Sequence, residues 1–289
     1  MAWRAAEETD LDWIGALLRD HIQTSMFLLD NLQKYGLGSD APYGMQVWCL
    51  NACDGIFAIT NSGSVMMQAP HATEADWGAL GPLIAGREIA IVLGDSVQSR
   101  AFMDVTGLAA HPTTRDADEP GFHLNLEELV LDRRADEALR PFSDIPHEQL
   151  MAWGTAYNVE VTGKDPAVAR ELTEMNTAIY LERDSHRLLY DGDRPVSRTG
   201  INAQVGDVVQ IGGVYTPPDL RGQGYARRAV AYHLDELRQK GVRAAVLFAA
   251  SDKAAKAYRA IGFKPAGSFT LVVYEPPVVF KQSVEEGPC

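Results

Sequence analysis

Apolar positions fall at helical spacing through "TDLDWIGALLRDHIQTSMFLLDNLQKYGL" and then change to short runs of strand type. "QVWCLNA", "GIFAITN" and "SVMMQAP" are separated by "CDG" and "SGS", which are hairpin-turn signals. A helical stretch "TEADWGALGPLIAGR", a strand "EIAIVLG", a helix "SVQSRAFMDVTGL" and a strand "FHLNLEELVL" follow. The pattern then loosens through charges and two prolines in "LDRRADEALRPFSDIPHE". This places a linker at 133–147 between an N-terminal domain (1–132) and a C-terminal domain (148–289).

The second half repeats the first in outline. A helix at "DPAVARELTEMNTAIYLERD" precedes strands "HRLLYDG", "PVSRTGINA" and "DVVQIGGVYT". A helix from about Gly224, the strand "AAVLFAA", a helix "DKAAKAYRAIG" and a closing strand "FTLVVYE" complete it. The same order of elements twice predicts a duplicated α/β (α+β) fold, each copy a mixed central sheet flanked by helices.

Composition narrows the class. The 289 residues are 46% hydrophobic and 22% charged, the make-up of a folded soluble protein long enough for two domains. No apolar run approaches a membrane span, and "MAWRAAEETDLDW" lacks the basic start and apolar core of a signal peptide, so a cytoplasmic protein is expected. A net charge of −13 repels phosphate backbones, which argues against nucleic acid as a partner and favours cationic acceptors such as amines. Cys49, Cys53 and Cys289 form no disulfide framework, and the seven histidines show no ligand spacing, so no metal is expected.

The stretch "VYTPPDLRGQGYARRAV" carries the candidate chemistry. "VVQIGGVYT" reads as a central strand, yet the Gly212-Gly213 pair implies a bulge or a close approach by another group. Pro217 and Pro218 end the strand, and "RGQGYA" leads directly into an amphipathic helix that Gly241 can terminate. A strand, a glycine-bearing turn and a helix N-terminus gather unpartnered N–H groups and the positive end of the helix dipole, which suits a phosphate. Arg221, Arg227 and Arg228 are placed to add charge-assisted contacts. The spacing fits neither a P-loop nor a dinucleotide-binding turn.

Arg221, Gly222, Gln223, Gly224, Tyr225 and Ala226 resemble the Arg/Gln-x-x-Gly-x-Gly/Ala signature of the GNAT acyltransferase superfamily. The preceding strand, the strand "AAVLFAA" and the segment "SDKAAKAYRAIGF" resemble the family's successive elements in order and spacing, over roughly residues 200 to 275. The resemblance implies two GNAT-like domains in tandem, the first a degenerate copy because "SVMMQAP" leads into "HATEADWGAL" without clustered glycines and arginines.

The resemblance further implies acetyl-CoA as cofactor, with a strand at 207–215 parting from its neighbour at 244–249 so that the pantetheine arm inserts beside it. Backbone groups of Val214 and Thr216, with Tyr215 between them, are then the expected partners of that arm, and the turn from Arg221 to Ala226 that of the pyrophosphate. Ser251 stands where the family often has Asn; it can cap the following helix, and the resemblance counts it among the cofactor contacts. Tyr258 occupies the position that donates a proton to the departing thiolate; on helical spacing alone it reads as a core tyrosine beside Ala254 and Ile261.

The base is not legible. The first-motif strand has Gln210 and no carboxylate in its interior, and Glu182, Asp184 and His186 are alternative acceptors beside a water chain. The expected activity is an N-acetyltransferase acting on a small primary amine by direct attack. The alternatives are a non-catalytic acyl-CoA sensor and an acyltransferase with another donor or a hydroxyl acceptor. A homodimer is compatible with all of these.

Overall fold

A computed structural model describes residues 3–51 and 54–281, so Cys53 and Cys289 lie outside the described residues, while Cys49 is buried in a strand. In chain order the elements are β1 (Trp3–Ala5), α1 (Leu11–Asp20), α2 (Ile22–Tyr35), β2 (Met45–Leu50), β3 (Gly55–Thr60), β4 (Ser64–Gln68), α3 (Glu74–Gly78), α4 (Gly81–Ile84), β5 (Glu88–Asp95) and α5 (Ser96–Thr106). There follow β6 (Thr113–Asn125), β7 (Glu137–Pro141), α6 (His147–Thr162), α7 (Pro166–Glu182), β8 (His186–Asp191), β9 (Arg194–Val205), β10 (Val208–Tyr215), α8 (Tyr225–Gln239), β11 (Ala244–Phe248), α9 (Asp252–Arg259) and β12 (Lys264–Val279). Among the described residues no helix is long and apolar enough to cross a membrane.

The chain forms two compact units, one of residues 1–118 with 268–289 and the other of residues 119–267. The strands of the first run in the order β1-β2-β3-β4-β5-β12, and those of the second in the order β7-β8-β9-β10-β11-β6. Within each unit one neighbouring pair is parallel, β4 with β5 and β10 with β11, and the remaining pairs are antiparallel. The two units therefore have the same topology, in line with the duplication expected from element order.

Their sixth strands are exchanged. In an uncrossed duplication the strand "FHLN" closes the first copy; here Gly121–Asn125 of β6 pair with β11 in the second unit, from Phe248↔Gly121 to Ala244↔Asn125. The C-terminal strand β12 pairs with β5 in the first unit, from Phe269↔Asp95 to Val279↔Glu88. Side chains confirm the exchange: Phe122, Leu124 and Leu126 lie in the core of the second unit, and Val272, Tyr274 and Phe280 in that of the first. The compact units thus differ from a single division of the chain near residues 133–147. That segment, expected as a linker, contains β7, which pairs with β8 from Glu137↔Asp191 to Pro141↔Arg187 as an edge strand, where a terminal proline is tolerated.

One helix escapes the sequence reading. In α6 the apolar residues Leu150, Met151, Trp153, Val159 and Val161 are spread around the helix, and "VEV" mimics strand alternation. The helix is fixed by packing on α7 instead: a Cβ at Gly154 would lie 2.3 Å from Thr173 Cγ2, so only glycine permits this approach.

The exchange predicts where the chain can be cut. A fragment of residues 133–289 lacks β6 and with it Phe122, Leu124 and Leu126, whose burial stabilises by about 2 kcal/mol each, a large share of a domain's total. We expect this fragment to show no cooperative thermal transition by circular dichroism, and a fragment of residues 119–267 to unfold cooperatively.

Candidate active site

In the second unit the parallel pair β10–β11 is in register at Val208↔Ala244, Val209↔Ala245 and Gln210↔Val246, and there the pairing ends. Both strands continue, β10 to Tyr215 and β11 to Phe248, so a notch opens between them. The cause lies on the opposite side of β10, where its ladder to β9 is irregular at Gln210/Ile211 and again between Gly212 and Tyr215. Gly213 has φ +61°, open to glycine at little cost. A Cβ at Gly212 would lie 1.9 Å from the Asn202 amide nitrogen, and one at Gly213 would lie 2.9 Å from His186 Nε2. The two glycines therefore make a bulge that turns the strand away from its parallel neighbour.

His186 is the wedge behind the bulge. Its ring is fully buried, stacks on Tyr180 at 3.7 Å and 20°, and presses so closely on Gly200 that a Cβ there would meet Nε2 at 2.1 Å. Ser185 Oγ lies 2.9 Å from Nδ1. Burial, reinforced by the Arg198 charge, pushes its pKa well below the ordinary value, so the ring is neutral. Asp184 is in an ion pair with Arg187, which also holds Glu236. Glu182 is exposed at the end of α7. Of these three alternative acceptors, two are otherwise engaged: His186 shapes the strand and Asp184 binds an arginine.

Val214, Tyr215 and Thr216 lie along the unpaired stretch of β10 and just past it. Val214 packs against the apolar cluster that contains Tyr258. The Thr216 carbonyl accepts from Arg221 Nε at 2.9 Å, and its hydroxyl lies 2.9 Å from Ser197 Oγ, so those groups are engaged within the protein. Tyr215 turns its ring towards α6, 6.2 Å from Trp153.

The turn after β10 has the geometry of an anion cradle. Gly222 and Gly224 have φ +81° and +79°, and Gly224 is the N-cap of α8 with no side-chain cap, leaving the first-turn N–H groups open. The three arginines divide their tasks. Arg228 turns inward to a nearly buried ion pair with Glu137 at 2.6 Å and donates to the Gln223 carbonyl at 3.0 Å, so it braces the loop. Arg221 pairs with Glu160 of α6 at 2.6 Å. Arg227 keeps its guanidinium beside the glycine, its Nε 3.1 Å from where a Gly224 Cβ would stand. Gln223 is exposed, Tyr225 donates its hydroxyl to Asp191 at 2.5 Å inside the protein, and Ala226 contributes backbone only.

Ser251 caps α9, its Oγ accepting from the Ala254 N–H at 3.3 Å. Tyr258, 8% exposed, packs edge-on against Phe263 at 6.0 Å. Burial raises its pKa, and Tyr157 and Glu119 raise it further, so the phenol keeps its proton at neutral pH. The residues missed by sequence reasoning come from α6 and β9: Trp153, Tyr157 and Glu160 on the unrecognised helix, and Arg198, whose neighbours depend on how the sheet folds. Gln210 is buried, donating Nε2 to the Ile211 carbonyl at 3.0 Å while its Oε1 has no partner among the described residues.

The first unit has the same notch, filled. β4 and β5 pair only at Ser64↔Ile91 and Val65↔Val92 before parting. Gln98 Oε1 accepts the Ala69 N–H at 2.6 Å, and Gln68 Oε1 accepts from Ser25 Oγ at 2.9 Å. The helix after β4 is a single short turn of α3, closed by a capping box between Thr73 and Asp76 and headed by Glu74. Carboxylates stand here where the second unit has glycine and arginine.

The buried histidines set a pH dependence. His233 is 1% exposed, and burial, with the Arg187 charge, holds it down to about 4, against about 6.5 unfolded. Because the unfolded chain binds this proton first, the stability is fully present above pH 6.5 and is lost as pH falls towards 4, by about 3 kcal/mol for His233, with His186 adding in the same direction. Urea unfolding of the 119–267 unit from pH 7 to 4 is expected to show this decline, and His233→Leu to flatten it.

Comparison with known proteins places this geometry in context. Residues 147–263 match the model of the acetyltransferase (GNAT) family. No curated protein sequence matches the chain. Among solved structures, a Drosophila protein superposes with a TM-score of 0.59 at 11% identity over 94% of this chain and 98% of its own. A GCN5-related N-acetyltransferase from Sphaerobacter thermophilus gives 0.58 at 15% identity, covering 93% and 94%. A tandem GNAT protein from the clavulanic acid biosynthesis pathway gives 0.55 at 12% identity, covering 94% and 97%. At such identities the likeness shows the fold, here two GNAT-like copies in tandem.

Proposed function

Residues 147–263 form a domain of the acetyltransferase (GNAT) family, and on that basis we propose that the chain transfers an acetyl group from acetyl-CoA to a primary amine. The observation that carries the reading is the loss of pairing between β10 and β11 beyond Gln210↔Val246, which leaves strand edge where an extended amide-bearing arm can pair. The residues present fit that cofactor. Backbone groups around Val214 are the partners for the pantetheine, and the α8 N-terminus with Gly222, Gly224 and Arg227 holds the pyrophosphate. Acetyl-CoA supplies the activated thioester, and the protein supplies position and protons.

Tyr258 is the proton donor in this reading. Burial keeps Oη protonated at neutral pH, so the phenol can donate a hydrogen bond to the departing thiolate, and Tyr258 belongs to the apolar cluster against which Val214 of the strand edge packs. Arg228 and Glu137 act at one remove, by fixing the loop that presents the α8 N–H groups. A second reading, an acyl-CoA binder without transfer, is favoured by one observation: the interior of β10 offers the neutral amide of Gln210 where a base would stand.

Calorimetric titration with acetyl-CoA is expected to give one site per chain, because Gln98 and the Asp76 capping box close the equivalent place in the first unit. Two sites would overturn that assignment, and no binding at millimolar cofactor would remove both readings. Tyr258→Phe is expected to lower kcat about 100-fold while leaving acetyl-CoA affinity within about threefold. Saturable acetyl-CoA binding with no thiol release across a broad amine panel would leave the binder reading in place.

A further inference from the structure

Arg198, at 3% exposure, is buried on β9 without a carboxylate. Its Nε donates to the Gly213 carbonyl at 3.1 Å, and its guanidinium lies over the rings of Tyr157 at 5.0 Å and Tyr215 at 5.9 Å. No ion pair of the described residues includes it, and the titratable groups that favour its charged form are the tyrosines 157, 180 and 215, with no Asp or Glu among them. In a chain with 39 acidic and 26 basic residues, every other well-buried arginine has a partner: Arg187 holds Asp184 and Glu236, and Arg228 holds Glu137.

A desolvated cation without a counter-charge is costly, and its bond to the Gly213 carbonyl occupies one of the five guanidinium donors. The position explains its retention. Arg198 sits at the bulge that opens the notch, its guanidinium over the Tyr157 ring, and the Tyr157 phenol is near enough to Tyr258 to act on it electrostatically. The rings of Tyr157 and Tyr215 contact the guanidinium as aromatic faces and accept no hydrogen bond at its edge, and the edge of a planar fork is what pairs bidentately with a carboxylate. The cofactor's phosphates have the α8 N-terminus, some way along the chain from this point, and its thioester is neutral.

We propose that Arg198 binds a carboxylate of the acceptor, so that the acceptor is a small amine that also carries a carboxylate, of amino-acid type. The proposal rests on the transfer reading above and narrows it.

The test compares the common amino acids with their carboxamides as acceptors for the full-length protein at saturating acetyl-CoA, reading thiol release. For the best acceptor the acid is expected to exceed its amide in kcat/KM by at least about 100-fold, the scale of losing one partner of a buried charged pair. Arg198→Met is expected to reduce that acid-to-amide ratio at least 30-fold (~2 kcal/mol), mainly through KM, and Arg198→Lys to retain part of it. Amides that serve as well as acids in the unaltered protein would overturn the proposal, whether or not the variants fold. So would an Arg198→Met loss that falls equally on acid and amide. If acetyl-CoA binds and no amine is acetylated, the transfer reading fails by itself. Calorimetric binding of the same acids and amides to the CoA-loaded protein then decides the carboxylate claim: acid-only binding sustains it, and equal or absent binding removes it.

Discussion

The parting of β10 from β11 is the constraint on which the site depends. A parallel pair normally continues as long as both strands do, since each lost rung leaves an N–H and a carbonyl without a partner. Here pairing ends after three residue pairs because Gly212 and Gly213 form a bulge that His186, Asn202 and Arg198 hold in place from the other side. Glycine admits the side chains that force the bend, and the bend exposes the strand edge. A β-branched residue at either position would meet Asn202 or His186, so the notch and the packing behind it form one device.

The two units treat the notch differently. Both have the parallel pair that separates, and the difference lies in the next turn. In the second unit the strand runs into two left-handed glycines and an uncapped helix of four turns, in the first into a capping box of Thr73 and Asp76 on a helix of five residues. Gln98 further satisfies the Ala69 N–H from within. The same backbone topology thus presents, at one helix end, either open N–H groups or a closed capping box.

Buried charge is treated unevenly across the second unit. Arg187 and Arg228 each bridge elements distant in sequence and are fully compensated, while Arg198 lies among tyrosines. Compensated pairs lock the scaffold, α8 to β7 and to β8, and leave the turn before α8 rigid. The uncompensated cation bonds the Gly213 carbonyl at the bulge.

Much of this was legible in the sequence. Period-2 runs, glycine and proline punctuation and the segment from Arg221 to Ala226 are local signals, so the strands, the turn and the duplicated order of elements followed from them, as did the cap at Ser251. Three features were decided by the tertiary structure. Partner choice among strands is not encoded in alternation, so "FHLN" and "FTLVVYE" look the same whether they close their own half or the other. Helix α6 has no single apolar face and is held by the Gly154–Thr173 contact, so Trp153, Tyr157 and Glu160 stayed hidden. The roles of equivalent residue types also diverge with burial: of the three arginines around one turn two pair with glutamates and Arg227 stands beside Gly224, and an arginine in "SRTG" becomes the one that the folded interior leaves without a carboxylate.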